Sequence, residues 1–519
     1  MQVQQWRRRM HKKNRWSIAR TSWLILVVLA VVFVWMLLKF PITPFVWRAA
    51  VCAVLAVIVV LLGWLSFRRK RRLHSRRPVV TFFNCLLAVI LAVGSWMLPH
   101  TEKSVNEVFA DVGETSVTQV NFYALTTDYK TSHLDVFSGR VMSSNNLQSY
   151  ASGTFITQSS VDQDNQSKAM DWLNNNLDTQ VKTDEQDTIW NAVADLCAGK
   201  GDVLVLNASY ADTVAETDTY STFLDDTVVL YSLKIEVPKQ TSTPDVSEEA
   251  STSHSFGIYI AGSDSRDDAL STYTRTDVNI LAEIDPVNKQ IMLVSVPRDL
   301  YIPNPALNYG YDKLTHLGNS GIENTIAGMN SVMQMSIANY VVVNFATYQK
   351  IIDTLGGVDI NNPYAFSTGS YTYPEGVIHL SGDQALAYVR ERYSLENGDF
   401  GRNDHQIIVL RAILTKILSA EMIVRFNDIL SSLQDTFATN ISSSAIYDLV
   451  NQQISSLAGW NIINYHLDAA GDTAETASMP GTLLYVNHPY QNQIDFIKAE
   501  YDKIRTGNII TQQDMPPGE

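Results

Sequence analysis

The first 98 residues contain no aspartate and no glutamate; the first acid is Glu102. An ordinary folded domain mixes both signs of charge, so this stretch belongs to a different environment from the rest. Cysteine is nearly missing too. Of three in 519 residues, Cys52 and Cys85 lie in apolar runs, which leaves Cys197 alone downstream. One thiol makes no intrachain disulfide, so the acidic part relies on its core. Arginine is scarce after residue 103, where ten occur, seven of them within 266–411. Sixteen of the 39 Lys and Arg precede Glu102, leaving 23 against all 53 acids. The length leaves room for two or three domains.

What the acid-free stretch does contain is apolar. Three runs, 23–40, 47–67 and 79–98, each approach the ~20 residues needed to cross the bilayer core. Their internal charges, Lys39 and Arg48, stand close enough to an end to snorkel. No small-residue cleavage site follows the first run and two more spans do, which argues against a cleaved signal peptide. Basic clusters at Arg7–Arg15 and Arg68–Arg77 flank the spans. The positive-inside rule puts both in the cytoplasm and everything after the third span outside. Anionic lipid and topology explain these short clusters; nucleic acid is not an expected partner. Residues 1–103 thus form a three-helix membrane anchor.

Residues 104–237 read as a small α/β accessory domain. Strand signals appear at 120–125, 202–206 and 227–237, and amphipathic helices at 168–175 and 184–196. No catalytic constellation is visible there. The polar tract 238–254 offers little to bury and reads as a linker.

A second α/β domain is expected over 255–505, a central mixed sheet flanked by helices, with a frayed tail at 506–519. Strands at 256–261, 278–284 and 290–296 each abut charged pairs: Asp264 and Arg266, Arg275 and Asp277, Arg298 and Asp299. Strand ends are where open α/β sheets place ligands. A helix capped by Ser381 ends at Arg390 and Arg392, and the next, from His405, carries Arg402 and Gln406 at its start. Six of the seven arginines in 266–411 fall at such termini or in adjoining loops. Arginine grips phosphate with a planar, permanently charged fork. Taken alone, each charge run would read as a solvated face.

Together, Gly262-Ser-Asp264-Ser-Arg266, Arg275-Thr-Asp277, Val296-Pro-Arg298-Asp299, Leu386-Ala-Tyr-Val-Arg390-Glu-Arg392-Tyr393 and Gly401-Arg402-Asn-Asp-His405-Gln406 resemble the motif set of the LytR–CpsA–Psr family. Three spans and an accessory domain look most like its capsule-associated CpsA branch in streptococci and their relatives. The resemblance implies an extracytoplasmic phosphotransferase. Such an enzyme moves a glycopolymer, here capsular polysaccharide, from a polyprenyl-pyrophosphate carrier to peptidoglycan through a phosphodiester. Asp264, Arg266, Arg275 and Arg298 are then candidate catalytic residues. Arg266, Arg275, Arg298, Arg390, Arg392, Arg402 and Gln406 would bind pyrophosphate. Mg²⁺, with Mn²⁺ as an alternative, would use Asp277 and Asp299. Further partners would be the membrane and other capsule-assembly proteins.

The residues suit that chemistry. Clustered guanidiniums neutralise a pyrophosphate and the charge that develops during transfer. Mg²⁺ takes one or two carboxylates plus phosphate oxygens. Asp264, Asp277 or Asp299 could serve as base for the acceptor hydroxyl, and the sequence does not choose among them. The isoprenoid tail needs an apolar cleft; strands 278–284 and 340–345 could line one, but such segments are more often plain core, and the sequence singles out no lipid-binding residue. Two other readings are a membrane sensor acting through its basic cytoplasmic segments, and a hydrolase with water as acceptor.

Overall fold

The structure is a computed structural model. It describes residues 18–40, 45–67, 77–110, 115–126, 144–177, 180–238, 249–263, 271–392, 394–395, 399–419, 429 and 437–519. Asp264, Arg266, the basic clusters 7–15 and 68–76, and most of the linker tract lie outside these residues. The chain divides into two compact units: Met1–Val108 with Ser443–Leu457, and Phe109–Ser442 with Ala458–Glu519.

The first unit holds helices α1 (Ile18–Lys39), α2 (Phe45–Phe67) and the start of α3 (Arg77–Ala110). Each contains a stretch of 20 to 22 residues long and apolar enough to cross a membrane. Most of their described large apolar side chains are exposed, as lipid-facing surfaces are, and Leu26, Ala30, Leu55 and Leu91 form a small buried cluster. Polar groups join the helices where water is missing. Asn84 Nδ2 donates to the Ala19 carbonyl at 3.2 Å and to Ser22 Oγ at 3.1 Å. Trp23 Nε1 donates to the Val59 carbonyl at 2.9 Å.

Among the described residues the second unit contains two large sheets and four two-stranded ones. The first has five strands: β1 (Thr115–Leu125), β2 (Thr154–Gln158), β3 (Lys182–Gln186), β4 (Val203–Asn207) and β5 (Thr227–Pro238), in the order β3-β2-β4-β1-β5. β4 is buried at every position, the mark of a central strand covered on both faces. Helices α4 (Gln163–Asn176), α5 (Ile189–Cys197) and α6 (Ala208–Ala215) accompany the sheet. The helix expected over 184–196 begins only at Ile189. Its first residues belong to β3, an edge strand pairing in parallel with β2. Their polar sequence, Lys-Thr-Asp-Glu-Gln, suits an exposed edge and hides the strand from a search for apolar alternation.

The second sheet is mixed and six-stranded. Its central strands are β6 (Phe256–Ser263), β7 (Thr276–Asp285) and β8 (Gln290–Ser295). β9 (Ile337–Asn344), β10 (Phe437–Thr439) and β11 (Asn461–His466) complete the order β10-β9-β6-β7-β8-β11. β6, β7 and β8 are antiparallel neighbours, whereas β9 joins β6, and β11 joins β8, in parallel. One face buries Tyr259, Ala261, Leu281, Met292, Val294 and Val342 in the main core, with α7 (Ile322–Met333) and the C-terminal helix Gln491–Arg505. Helices α8 (Phe345–Thr354), α9 (Gly382–Arg390) and α10 (Asp399–Ile417) build a second core. Ser381 caps α9 in a full capping box with Gln384, so the helix start is fixed as the sequence implies.

The tail expected to fray does not. Gln290 brackets it, accepting from the Ile510 N–H at 3.0 Å and donating to the Asn508 carbonyl at 2.8 Å. Ile510 is buried in the main core, and that apolar anchor outweighs the polar composition around it.

Candidate active site

Because strand side chains alternate, the face of the second sheet opposite the main core presents a different set. Ile258, Ile260, Val278, Ile280, Ala282, Ile284, Ile291, Val341 and Val343 face a cavity of about 570 Å³. The opposite wall comes from helices. Tyr348 and Ile351 of α8 recur at helical spacing, as do Leu386 and Val389 of α9 and Leu410, Ile413 and Leu414 of α10. The interior is therefore an apolar tunnel, lined mostly by branched side chains, between sheet and helices.

Its charged lining, with Gln406, lies at strand and helix ends: Glu216, Asp277, Arg298, Arg390, Arg392, Arg402 and Gln406. Arg298 sits just past β8 and is 11% exposed at its side chain. Its Nη1 lies 3.0 Å from Asp277 Oδ1 and 3.2 Å from Glu216 Oε1, and its Nε 3.6 Å from Asp299 Oδ2. Arg275 Nη2 donates to the same Glu216 Oε1 at 2.6 Å. Arg275 is buried and reaches the cavity wall through Glu216. Arg390, the last residue of α9, lays its guanidinium over the Phe345 ring at 4.3 Å, a cation–π contact that orients it. Glu391 leaves the helix in extended conformation, which carries Arg392 to the same cavity. Arg402 and Gln406, both buried, come from the first two turns of α10.

Electrostatics keep the carboxylates ionised. Burial alone would push the Asp277 carboxyl up, but the Arg298, Arg275 and Arg402 charges outweigh it and hold it below the ordinary carboxylate value. Glu216 shows the same contest: burial raises it, Arg275 and Arg298 lower it, and the guanidiniums win.

The structure thus brings Arg275, Arg298, Arg390, Arg392, Arg402, Gln406 and Asp277 to one place. Asp299 stands apart from the cavity lining. Its Oδ1 accepts from Lys313 Nζ at 2.9 Å, and both side chains are buried. Arg411 points elsewhere, to Asn464 Oδ1 at 3.4 Å. His405, inside the last motif, is structural. It stacks on Tyr388 at 4.1 Å and on Phe366 at 4.9 Å, and its Nδ1 faces the Tyr388 carbonyl at 3.1 Å. It thereby ties α9 to α10, the helices that carry Arg390, Arg402 and Gln406. Burial pushes its pKa down to about 4, so the ring is neutral.

Among the described residues no group of three or more His, Cys, Asp and Glu is arranged to hold a metal. Asp277, ionised and on the wall, suits an ion that takes its remaining ligands from phosphate and water, as Mg²⁺ does. One hydrolase-like constellation needs exclusion. Asp312, His316 and Ser478 meet, but Asp312 Oδ1 and Ser478 Oγ share the same ring nitrogen, at 2.8 and 3.1 Å, and all three are at most 1% exposed. A relay needs the two partners on opposite nitrogens.

The LytR_cpsA_psr family model matches residues 224–490. The chain belongs to the LytR–CpsA–Psr family.

Relatives in this family include two named polyisoprenyl-teichoic acid–peptidoglycan teichoic acid transferase TagU. The one from Enterococcus faecalis is 34% identical over 188 residues, covering 36% of this chain and 62% of the relative's own length. The one from Oceanobacillus iheyensis is 34% identical over 225 residues, covering 42% and 68%. Among solved structures, Bacillus subtilis TagU aligns with 25% identity and a TM-score of 0.39 over 50% of this chain and 100% of that one. The family match starts at Leu224, so Glu216 lies outside it. No sequence signal marks Glu216. A glutamate after a short helix reads as surface, and its partners lie 59 and 82 residues away. The cavity lining did leave a signal: β6, β8 and β9 are apolar at positions of both parities, although only one face packs the main core.

Proposed function

We propose that this protein is a membrane-anchored phosphotransferase that moves a glycopolymer from a polyprenyl-pyrophosphate carrier to peptidoglycan. The observation that carries the reading is the union, in one cavity, of an apolar tunnel with an arginine-lined mouth. An isoprenoid pyrophosphate has that same polarity: a branched hydrocarbon tail ending in concentrated negative charge. The relatives' names add a polyisoprenyl-linked donor and a peptidoglycan acceptor. Here the polymer is proposed to be capsular polysaccharide, on the strength of the three spans and the accessory module. Positive-inside topology would set the cavity on the outer side of the membrane, where peptidoglycan is.

In the proposed reaction, Arg298, Arg390, Arg392 and Arg402 hold the pyrophosphate oxygens while the tail fills the tunnel. A peptidoglycan hydroxyl attacks the sugar-bearing phosphorus, forming a new P–O bond. The bond from that phosphorus to the bridging oxygen breaks, and the carrier leaves as polyprenyl monophosphate. The fixed guanidiniums neutralise charge spreading onto the phosphoryl oxygens and the leaving group, with no reorganisation at the moment of transfer. Bound Mg²⁺, held by Asp277 and phosphate oxygens, would add Lewis-acid neutralisation of the same charge. The hydroxyl proton needs a base. Asp277, held ionised by three arginines, is a weak one, and Asp299 is occupied by Lys313, which favours Asp264 of the three candidates.

The test uses the full chain in detergent with Mg²⁺, peptidoglycan fragments, and polyprenyl-pyrophosphate carriers loaded with capsular or teichoic glycans, the products being read by mass. A glycan–phosphodiester–peptidoglycan product supports the reading. Free glycan phosphate alone would make the protein a hydrolase, and no turnover of either carrier would remove the enzymatic reading.

A further inference from the structure

We propose that the accessory module completes the transfer site. Glu216, which it supplies, is a positioning residue that holds Arg275 and Arg298 in the orientation that receives pyrophosphate. The proposal rests on the function proposed above.

The chain places Glu216 with little freedom. It is the C-cap of α6, its N–H donating to the Asp212 carbonyl at 3.2 Å. α6 in turn buries Tyr210, Ala211 and Val214 in the core between its own sheet and neighbouring elements. The carboxylate is thus anchored through a packed helix. A helix C-terminus also carries partial negative charge, which reinforces an acid placed there in attracting cations.

One oxygen does the holding. Glu216 Oε1 takes Arg275 Nη2 at 2.6 Å and Arg298 Nη1 at 3.2 Å. Two guanidiniums brought to one atom repel each other, and a shared anion between them reverses that. Arg275 needs it most, because its side chain is only 7% exposed and a buried cation without a counter-charge is costly. Arg298 is held between Glu216 from the accessory module and Asp277 from β7, so its fork is fixed from both sides. Glu216 itself keeps 37% of its side chain exposed and lines the cavity mouth. Its held-down pKa suits a fixed charge and not a proton acceptor. Preorganised donors stabilise a transition state because they do not reorient during reaction. Removing the carboxylate should therefore slow transfer more than it weakens binding, since it also takes one negative charge from a site for an anion.

The experiment compares full-length wild type with Glu216→Gln and Glu216→Asp in detergent, measuring kcat, KM for the pyrophosphate-linked donor, and Tm. For Glu216→Gln, kcat should fall about ten- to a hundredfold, the scale of one charge-assisted bond, with KM unchanged or lower. Glu216→Gln also lowers Tm, because buried Arg275 loses a counter-charge, so kcat is compared well below every melting point, where Glu216→Asp, which keeps the charge, should recover much of the loss. Wild-type kcat in Glu216→Gln overturns the proposal. A rise in both kcat and affinity also overturns it, because Glu216 would then be an obstacle that substrate displaces. A loss of kcat that appears only near each variant's Tm and vanishes well below it would reduce Glu216 to a structural contact. If wild type itself transfers nothing, the reading of function fails and this proposal falls with it; a deficit confined to the variants isolates Glu216.

Discussion

Filling the tunnel should block the substrate without harming the fold. Ala282 stands in the middle of β7, between Ile280 and Ile284 on the cavity face. An apolar cavity of about 150 Å³ accepts one benzene ring. The cavity of about 570 Å³ therefore holds roughly four isoprene-sized units by the same measure. Ala282→Phe would occupy about one of those places. At ~0.8 kcal/mol per buried CH₂, a five-carbon unit approaches about 4 kcal/mol as an upper bound. Ordering the chain offsets part of this, so about 2–3 kcal/mol, or roughly thirty- to a hundredfold in affinity, is the expected loss. The fold has the opposite stake. Ala282 itself is only 1% exposed, so the ring must reach past its close neighbours into the open part of the cavity; the apolar surface it buries there offsets the ~1–3 kcal/mol cost of overpacking, and Tm should hold. The assay is binding of labelled polyprenyl pyrophosphates of long and of very short tail to wild type and variant in detergent. The long carrier should bind Ala282→Phe poorly, and a carrier of about two units, short enough to leave the deep end empty, should bind both alike. Equal binding of the long carrier would refute the placement of the tail. A collapse in Tm would show that the space beside Ala282 is not free.

Arg298→Lys keeps the charge but cannot reach Glu216 and Asp277 as a fork does, so polymer transfer should drop about tenfold or more with the protein still folded; wild-type kinetics would count against the arrangement. The same assay on Arg392→Lys separates a phosphate ligand from surface decoration, since exposed ion pairs contribute only about 0–1 kcal/mol and tolerate such exchange. Asp277→Asn keeps the shape and removes the charge, and should lower transfer and weaken its Mg²⁺ response, read by a metal titration of rate; an unchanged response would dismiss Asp277 as metal ligand. His405 gives a pH signature. Its folded pKa of about 4 lies below the ordinary 6.5, so the unfolded chain takes the proton first as pH falls. Stability is then full above about pH 6.5 and is lost towards pH 4, by about 3 kcal/mol at most. Thermal melting across that window should show the loss, and His405→Gln should flatten it.

Much of this arrangement was legible in the sequence. The three spans are local facts of length and polarity, and the structure places helices on each. The arginines could be found because a cation at the end of an apolar strand has few structural reasons to be there. β7 runs antiparallel to β6 and β8, so its start lies beside their ends and brings Arg275 and Asp277 to Arg298. The misreadings share one cause, that a local pattern was overruled by a distant partner. β3 is polar because it is an edge, and only its pairing with β2 makes it a strand. The tail after Arg505 looks solvated because its polar residues outnumber Ile510, yet Gln290, more than two hundred residues earlier, supplies the bonds that hold it down.

The cavity was harder to read, for a reason that bears on function. A strand apolar on both faces normally means that both faces are packed. β9 fits that description, yet its burial alternates: Tyr340, Val342 and Asn344 are buried while Val341 and Val343 remain half-exposed. Composition reports what a side chain prefers to touch, not whether the protein provides it. Ile260, Val278, Val341 and Val343 prefer hydrocarbon, and the fold leaves them a cavity in its place. A protein that meets no apolar ligand gains from closing such a space, since an unfilled cavity forfeits dispersion contacts along its whole lining. Here helices α8 to α10 stand off the sheet, held by their own core around Tyr388 and His405. Stacking of His405 on Tyr388 fixes α9 against α10, and the same two helices carry Arg390, Arg402 and Gln406, with Arg392 just past the end of α9. The device that keeps the tunnel open is therefore the one that sets the spacing of the phosphate ligands. A substitution that loosens it, such as His405→Ala, should impair both tail binding and transfer, whereas Ala282→Phe should spare a substrate with almost no tail.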